Sequence, residues 1–182
     1  MALAYHKYRS YLKLVKWITM YILSIKTPMS INDLEFLQGA AFLRLLKEIP
    51  NVSINYLSSI HSSLYLVQIT NKESAILFKI SKKPTSSWSF IFSPQEEMAI
   101  HNFRETYPNV QLFIALICHR DGICCLSEEQ LSSLFDLNNG LSSQRISVKR
   151  EPRGSYYVKG TGRVPLERTV PQNNWPNIIL SA

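Results

Sequence analysis

The chain has 182 residues, of which 46% are hydrophobic and 18% charged, with three cysteines and six glycines. That length supports a core of single-domain size, and the balance excludes a disordered tail or a disulfide-dense secreted scaffold. The formal charge of +7 is uneven: residues 1–28 carry +5, residues 145–168 carry +5, and residues 29–144 between them carry −3. Basic ends of this kind attract polyanions, which are nucleic acid, an acidic protein or a lipid headgroup layer. They also serve simply as a solubilising surface.

Residues 1–28 hold an apolar run, Leu12–Ile25, broken by Lys13 and Lys16. Its uninterrupted part is too short for a membrane-spanning helix, which needs about 20 residues. No secretory signal is read there, so a cytoplasmic protein is expected. The remaining membrane role is surface contact by a basic, aromatic, amphipathic helix. Met29 directly precedes a helix start, so residues 1–28 read as a basic extension outside the core, and residues 29–182 as one α+β domain.

Ser30-Ile31-Asn32-Asp33 reads as a helix cap, and the helix runs to about Glu48, before Pro50. Leu34, Leu37, Ala41 and Leu45 form its apolar face. Gly39 in mid-helix costs about 1 kcal/mol relative to Ala, and close packing against a sheet would account for it. Three strand-like runs follow, Ser63–Thr70, Ser74–Ser81 and Ser87–Phe92, read as an antiparallel meander with a turn at Asn71-Lys72-Glu73. Trp88, Phe90 and Phe92 recur at period two and read as a core face.

Ser93-Pro94-Gln95-Glu96 is a capping box with Pro at the first helical position, opening a second helix to about Thr106. His101 lies on it, facing solvent. An apolar strand, Val110–Cys118, turns at Arg120-Asp121-Gly122 into Ile123–Leu126, because Asp-Gly suits a tight turn. Ser127-Glu128-Glu129-Gln130 caps a third helix, ended by Asn138-Asn139-Gly140. The last 40 residues read as β: Ile146–Arg150 and Ser155–Lys159 form a hairpin, with a third run near Leu166–Val170.

Cys118, Cys124 and Cys125 lie on or beside apolar strands, where reduced Cys is a small hydrophobe. Successive strand residues alternate sides, so Cys124 and Cys125 point to opposite faces. No paired Cys/His spacing of a zinc site accompanies them, and no metal is assigned. The sequence holds no P-loop, no Gly-x-Gly-x-x-Gly, no His-Glu-x-x-His and no Gly-x-Ser-x-Gly.

The order helix, three-strand meander, helix, strand over residues 30–118 resembles the core of the PD-(D/E)XK nuclease superfamily, most of all its Holliday-junction-resolvase-like members. In that family, carboxylates on the sheet hold Mg²⁺, which activates water and neutralises the phosphate. The resemblance puts the family lysine on Lys79 and the neighbouring acid position on Leu77. It therefore implies a nuclease-like core without an intact catalytic set, leaving Glu35, Glu73 and Lys79 as catalytic candidates. Mg²⁺ would be a cofactor only of the active form.

Two basic clusters are candidate contacts to DNA or RNA. Lys79, Lys82 and Lys83 lie beside Trp88, and aromatic plus basic groups on a sheet edge bind a strand by stacking and charge. In the C-terminal hairpin, Lys149, Arg150, Arg153 and Lys159 surround Tyr156 and Tyr157, one of which must face away from the core. Such a hairpin equally protects an exposed edge. The leading expectation is a nucleic-acid-binding protein on a nuclease-like core. The alternatives are a protein-interaction or accessory module, and an active Mg²⁺-dependent nuclease.

Overall fold

A computed structural model describes residues 31–49, 51–135, 140–141 and 143–180. The extension expected at residues 1–28 lies outside the described residues. In chain order the elements are α1 (Asp33–Glu48), β1 (Val52–Tyr56), β2 (Leu64–Ile69), β3 (Lys72–Ser81), β4 (Trp88–Ile91), α2 (Pro94–Thr106), β5 (Gln111–Cys118), β6 (Gly122–Ser127), α3 (Glu128–Leu134), β7 (Arg145–Arg150), β8 (Tyr156–Gly160) and α4 (Asn174–Leu180). The fold is α+β, as expected. Among the described residues, no helix is long and apolar enough to cross a membrane.

The main sheet has the order β1-β2-β3-β5-β6. β1, β2 and β3 form an antiparallel meander, β5 runs parallel to β3 with Ser74 opposite Gln111, and β6 returns antiparallel to β5. Parallel central strands are covered on both faces, so they read as almost unbroken apolar runs. Ala75 to Phe78 and Leu112 to Cys118 are buried without alternation. On one face, Val67, Ile76, Phe78, Phe113, Ala115, Ile117 and Cys125 pack against Leu37, Ala41 and Leu45 of α1 and Trp175 and Ile179 of α4. The other face carries Ala75, Leu77, Ile114, Leu116 and Cys124. It packs against Ile100 and Phe103 of α2, Leu131 and Leu134 of α3, and the inner side of a second sheet.

That second sheet, β4-β7-β8, is antiparallel throughout. Trp88, Phe90, Ile146, Val148, Tyr156 and Val158 point inward, so the aromatic period-two run is a core face, as expected. Of the three expected caps, that at Ser30 lies outside the described residues, and the other two are present as capping boxes. Ser93 Oγ accepts the Glu96 N–H at 3.2 Å and Ser127 Oγ accepts the Gln130 N–H at 3.3 Å.

Several local expectations are corrected. The meander begins one strand earlier, at Val52–Tyr56, and the run at Ser87–Phe92 leaves it to pair with β7. The turn tightens to Thr70-Asn71, and Lys72 and Glu73 join β3. The third helix stops at Leu134; residues 136–139 lie outside the described residues. The C-terminal stretch is not all β, because α4 docks Trp175 against α1, with Trp175 Nε1 donating to the Ala41 carbonyl at 3.3 Å. The run at Leu166–Val170 contributes a bridge to Tyr156 rather than a strand. Gly39 meets no sheet: a Cβ there would find nothing within 4 Å.

Candidate nucleic-acid interface

The second sheet has one buried side, so its other side is set by alternation. Outward-facing residues are Ser89 and Ile91 on β4, Arg145, Ser147 and Lys149 on β7, and Tyr157 and Lys159 on β8. Tyr157 lies opposite Lys149, and Lys159 opposite Ser147, while Ile91 lies opposite Arg145. Opposed residues stand about 5 Å apart at Cβ, so the three cations and the ring form one patch. Tyr157 is 59% exposed, and Tyr156 beside it is fully buried. None of these outward residues is acidic.

Lys149 Nζ lies 3.3 Å from Glu151 Oε1, but both side chains are two-thirds exposed. A surface pair of that kind contributes little and yields readily to a phosphate. Arg153 is exposed in the β7–β8 turn at φ 61°, and it lines a shallow hollow with Arg44 of α1 and Trp175 of α4 rather than the patch.

Arg150 belongs elsewhere. Its Nε donates to Asp121 Oδ2 at 2.7 Å, its second guanidinium nitrogen donates to Asp121 Oδ1, and its side chain is only 11% exposed. Tyr156 Oη donates to the same carboxylate at 3.3 Å. The group ties the hairpin to the β5–β6 turn, so Arg150 acts as a clamp within the fold rather than a phosphate contact. Burial, with Cys118 and Asp121 nearby, pushes the Tyr156 hydroxyl well above its ordinary range.

The Lys79 cluster dissolves in the same way. Lys79 is 8% exposed. Its ammonium donates to Glu96 and to the Ile91 carbonyl at 2.9 Å, and sits 4.4 Å from the centre of the Phe92 ring. Burial holds the Lys79 pKa below its ordinary value, partly offset by the hydrogen bond to Glu96. Lys82 and Lys83 remain exposed: Lys82 Nζ lies 2.9 Å from Asp33, and Lys83 Nζ donates to the Ser87 carbonyl at 2.8 Å. Trp88 is buried beneath them, its Nε1 donating to the Lys83 carbonyl at 2.9 Å.

The nuclease candidates do not converge. Glu35 is exposed on α1, and Glu73 is exposed at the start of β3. Six residues of strand separate Glu73 from Lys79, about 20 Å at 3.3 Å per residue. The carboxylate that meets Lys79 is Glu96, whose other oxygen accepts the Ser93 N–H at 2.8 Å in the cap. Among the described residues, no three His, Cys, Asp or Glu side chains gather where they could hold a metal ion. The donor set at Lys79 therefore does not fit Mg²⁺.

All three cysteines are buried and free, and Cys124 and Cys125 face opposite layers as expected. Burial pushes all three thiols well above their ordinary pKa, which keeps them protonated and poorly nucleophilic.

Arg145 is the exposed cation of this face that sequence reasoning passed over. The signal was available, since Arg145, Ser147 and Lys149 are the polar half of an alternating strand. No protein-family model, curated protein or solved structure matches this chain.

Proposed function

We propose that this chain is a nucleic-acid-binding protein that holds a single strand on the outer face of the β4-β7-β8 sheet. The observation that carries the reading is an exposed tyrosine set among Arg145, Lys149 and Lys159 on a sheet face whose other outward residues are uncharged. A flat, accessible ring offers a base a stacking platform, worth about 1–3 kcal/mol per base, and the cations take the backbone phosphates. A single strand suits this face because its bases are free to stack on Tyr157. The order α1, β1-β2-β3 meander, α2, β5, with β4 inserted before α2 and paired into the second sheet, is in keeping with a nuclease-like core put to binding, since Leu77 stands at the acid position that the resemblance assigns and Glu96 is held in the cap. The exposed apolar residues of α1 favour a protein-association role as well, on the opposite side of the main sheet.

The test is a salt series with a fluorescent single-stranded oligonucleotide, as DNA and as RNA. Three phosphate contacts give a log–log slope near −2, from about −0.7 per contact on single strands. Changing Lys149 and Lys159 to Ala is expected to reduce that slope by about 1.4, with weaker binding at every salt concentration. Tyr157→Ala is expected to weaken binding about tenfold while leaving the slope alone, because stacking releases no counterion. Wild-type affinity in Tyr157→Ala, together with a wild-type slope in the double lysine variant, would remove this face as the binding site.

A further inference from the structure

Helix α1 buries Leu37, Gln38, Ala41 and Leu45 against the main sheet and leaves a second apolar stripe outside. Phe36 is 62% exposed, Leu43 54% and Leu46 43%, and Gly39 and Ala40 lie between them on the same side. Residues three and four apart share a helix face, so Phe36, Gly39, Ala40 and Leu43 make one ridge with a low centre. Beside it runs a groove of about 270 Å³ between α1 and the β5–β6 turn, with Ala40, Ala41, Ile117 and Ile123 on its walls and Arg44, His119 and Arg120 at its polar side. Scattered surface apolar residues need no explanation, but a large aromatic and two leucines in one stripe beside this groove do.

Gly39 points the same way. A glycine in mid-helix weakens the helix, and among the described residues nothing requires this one, since its missing Cβ would meet open space. A helix needs glycine at such a place when another backbone must come close from outside.

We infer that this face joins a second copy of the chain, with α1 packed antiparallel on α1 across a two-fold axis between Gly39 and Ala40. The stripe is self-complementary about that point. Phe36 comes opposite Leu43 of the second copy, Gly39 opposite Ala40, and the ridge of one copy meets the groove of the other, which is how an isologous interface is built. The charges match in the same arrangement. The first turn of α1 carries Asp33 and Glu35 and its last turn Lys47, with Arg44 a turn earlier. Antiparallel packing lays Asp33, whose exposed pair with Lys82 is weak, beside Arg44 and Lys47 of the other copy, and it also sets the two helix dipoles in the favourable sense. Parallel packing would set Asp33 and Glu35 against their own copies at the first turn, while the last turn carries Lys47 and Glu48 together.

The experiment is sedimentation of the full chain over a concentration series, beside two variants. The wild type is expected to dimerise, with Leu43→Asp shifting the dissociation constant upward at least about tenfold because it puts a carboxylate in the apolar seam. Leu43 is exposed, so circular dichroism and Tm of that variant are expected to match the wild type at low concentration. Ala40→Cys lies beside the axis and is expected to cross-link to its own copy under mild oxidation, the native cysteines being buried. A wild type that stays monomeric up to about 1 mM leaves the face to some other partner and overturns the inference. So does a dimer that ignores Leu43→Asp, or an Ala40→Cys variant whose introduced thiol forms no cross-link.

Discussion

His61 sits in the turn between β1 and β2, where its Nδ1 accepts the Ser63 N–H at 3.1 Å. An acceptor nitrogen carries no proton, so the bond requires the neutral ring with its hydrogen on Nε2. Burial pushes the His61 pKa below its ordinary 6.5; Glu96 opposes that shift and Lys79 adds to it. The sign of the pH dependence follows. As pH falls, the unfolded chain takes up its proton first, near 6.5, while the folded chain resists. The stability tied to neutral His61 is therefore complete above about pH 6.5 and is lost as pH drops through the lower, folded value. His61→Asn keeps a side-chain acceptor that does not titrate. It is expected to flatten the fall in Tm below about pH 6.5, measured as a series of melts against the wild type. Parallel curves for the two proteins in that range would show that another group carries the acid sensitivity. Pairings of this kind explain what the chain hides at the residue scale. Lys79 finds Glu96 seventeen residues on, and Arg150 finds Asp121 twenty-nine residues back. A lysine in a run with Lys82 and Lys83 carries no mark that it turns inward, whereas strand alternation alone required that one of Tyr156 and Tyr157 be exposed.

The elements with local signals were legible in the sequence, and those made by distant packing were not. The two capping boxes and the buried period-two run at Trp88 are local chemistry and stand where they were expected, whereas the turn expected at Arg120-Asp121-Gly122 falls one residue earlier, at His119-Arg120-Asp121, with Gly122 already paired to Cys118 in β6. β1 carried an alternating signal too, Val52, Ile54 and Tyr56, but its short length beside Pro50 made it easy to pass over. No local rule told β4 to leave β3 and pair with β7, more than fifty residues ahead, nor α4 to form over the face that also holds α1. Gly160 marks one such long-range approach. It ends β8 under the C-terminal end of α3, and a Cβ built there would run into the Leu134 carbonyl oxygen. That oxygen is main chain, so relief requires the strand or the helix to move. Gly160→Ala is expected to destabilise the fold by about 3 kcal/mol or more, at the upper end of overpacking penalties. Urea unfolding monitored by tryptophan fluorescence measures it. Gly39→Ala supplies the contrast: it meets open space and is expected to raise the stability of the isolated chain by up to about 1 kcal/mol. A Gly160→Ala protein as stable as wild type would mean that β8 and α3 are not held this close.

At the scale of the whole molecule, the candidate binding face and the exposed stripe of α1 lie on opposite sides of the main sheet. The second sheet covers one face and α1 the other, so a two-fold pairing through α1 leaves the basic face of each copy open and turned away from its partner. Two open faces on one particle bind a long strand with avidity. Once the first face holds the strand, the second meets it at an effective concentration set by the intervening nucleotides. A strand of about 12 nucleotides fits within one site of ordinary size and engages a single face. One of about 60 nucleotides is long enough to be given a chance at both, and linked sites can exceed single-site affinity by about 10²-fold or more. The wild type is therefore expected to prefer the long strand by more than its greater number of sites accounts for. Leu43→Asp is expected to lose that preference and to bind the short strand like the wild type, since Leu43 lies across the main sheet from Tyr157. Changing Lys149 and Lys159 to Ala is expected to weaken both strands and leave the dimer intact in sedimentation. The two variants thus separate the binding face from the pairing face. A Leu43→Asp protein that kept the full long-strand preference would show that the two basic faces do not act on one strand together.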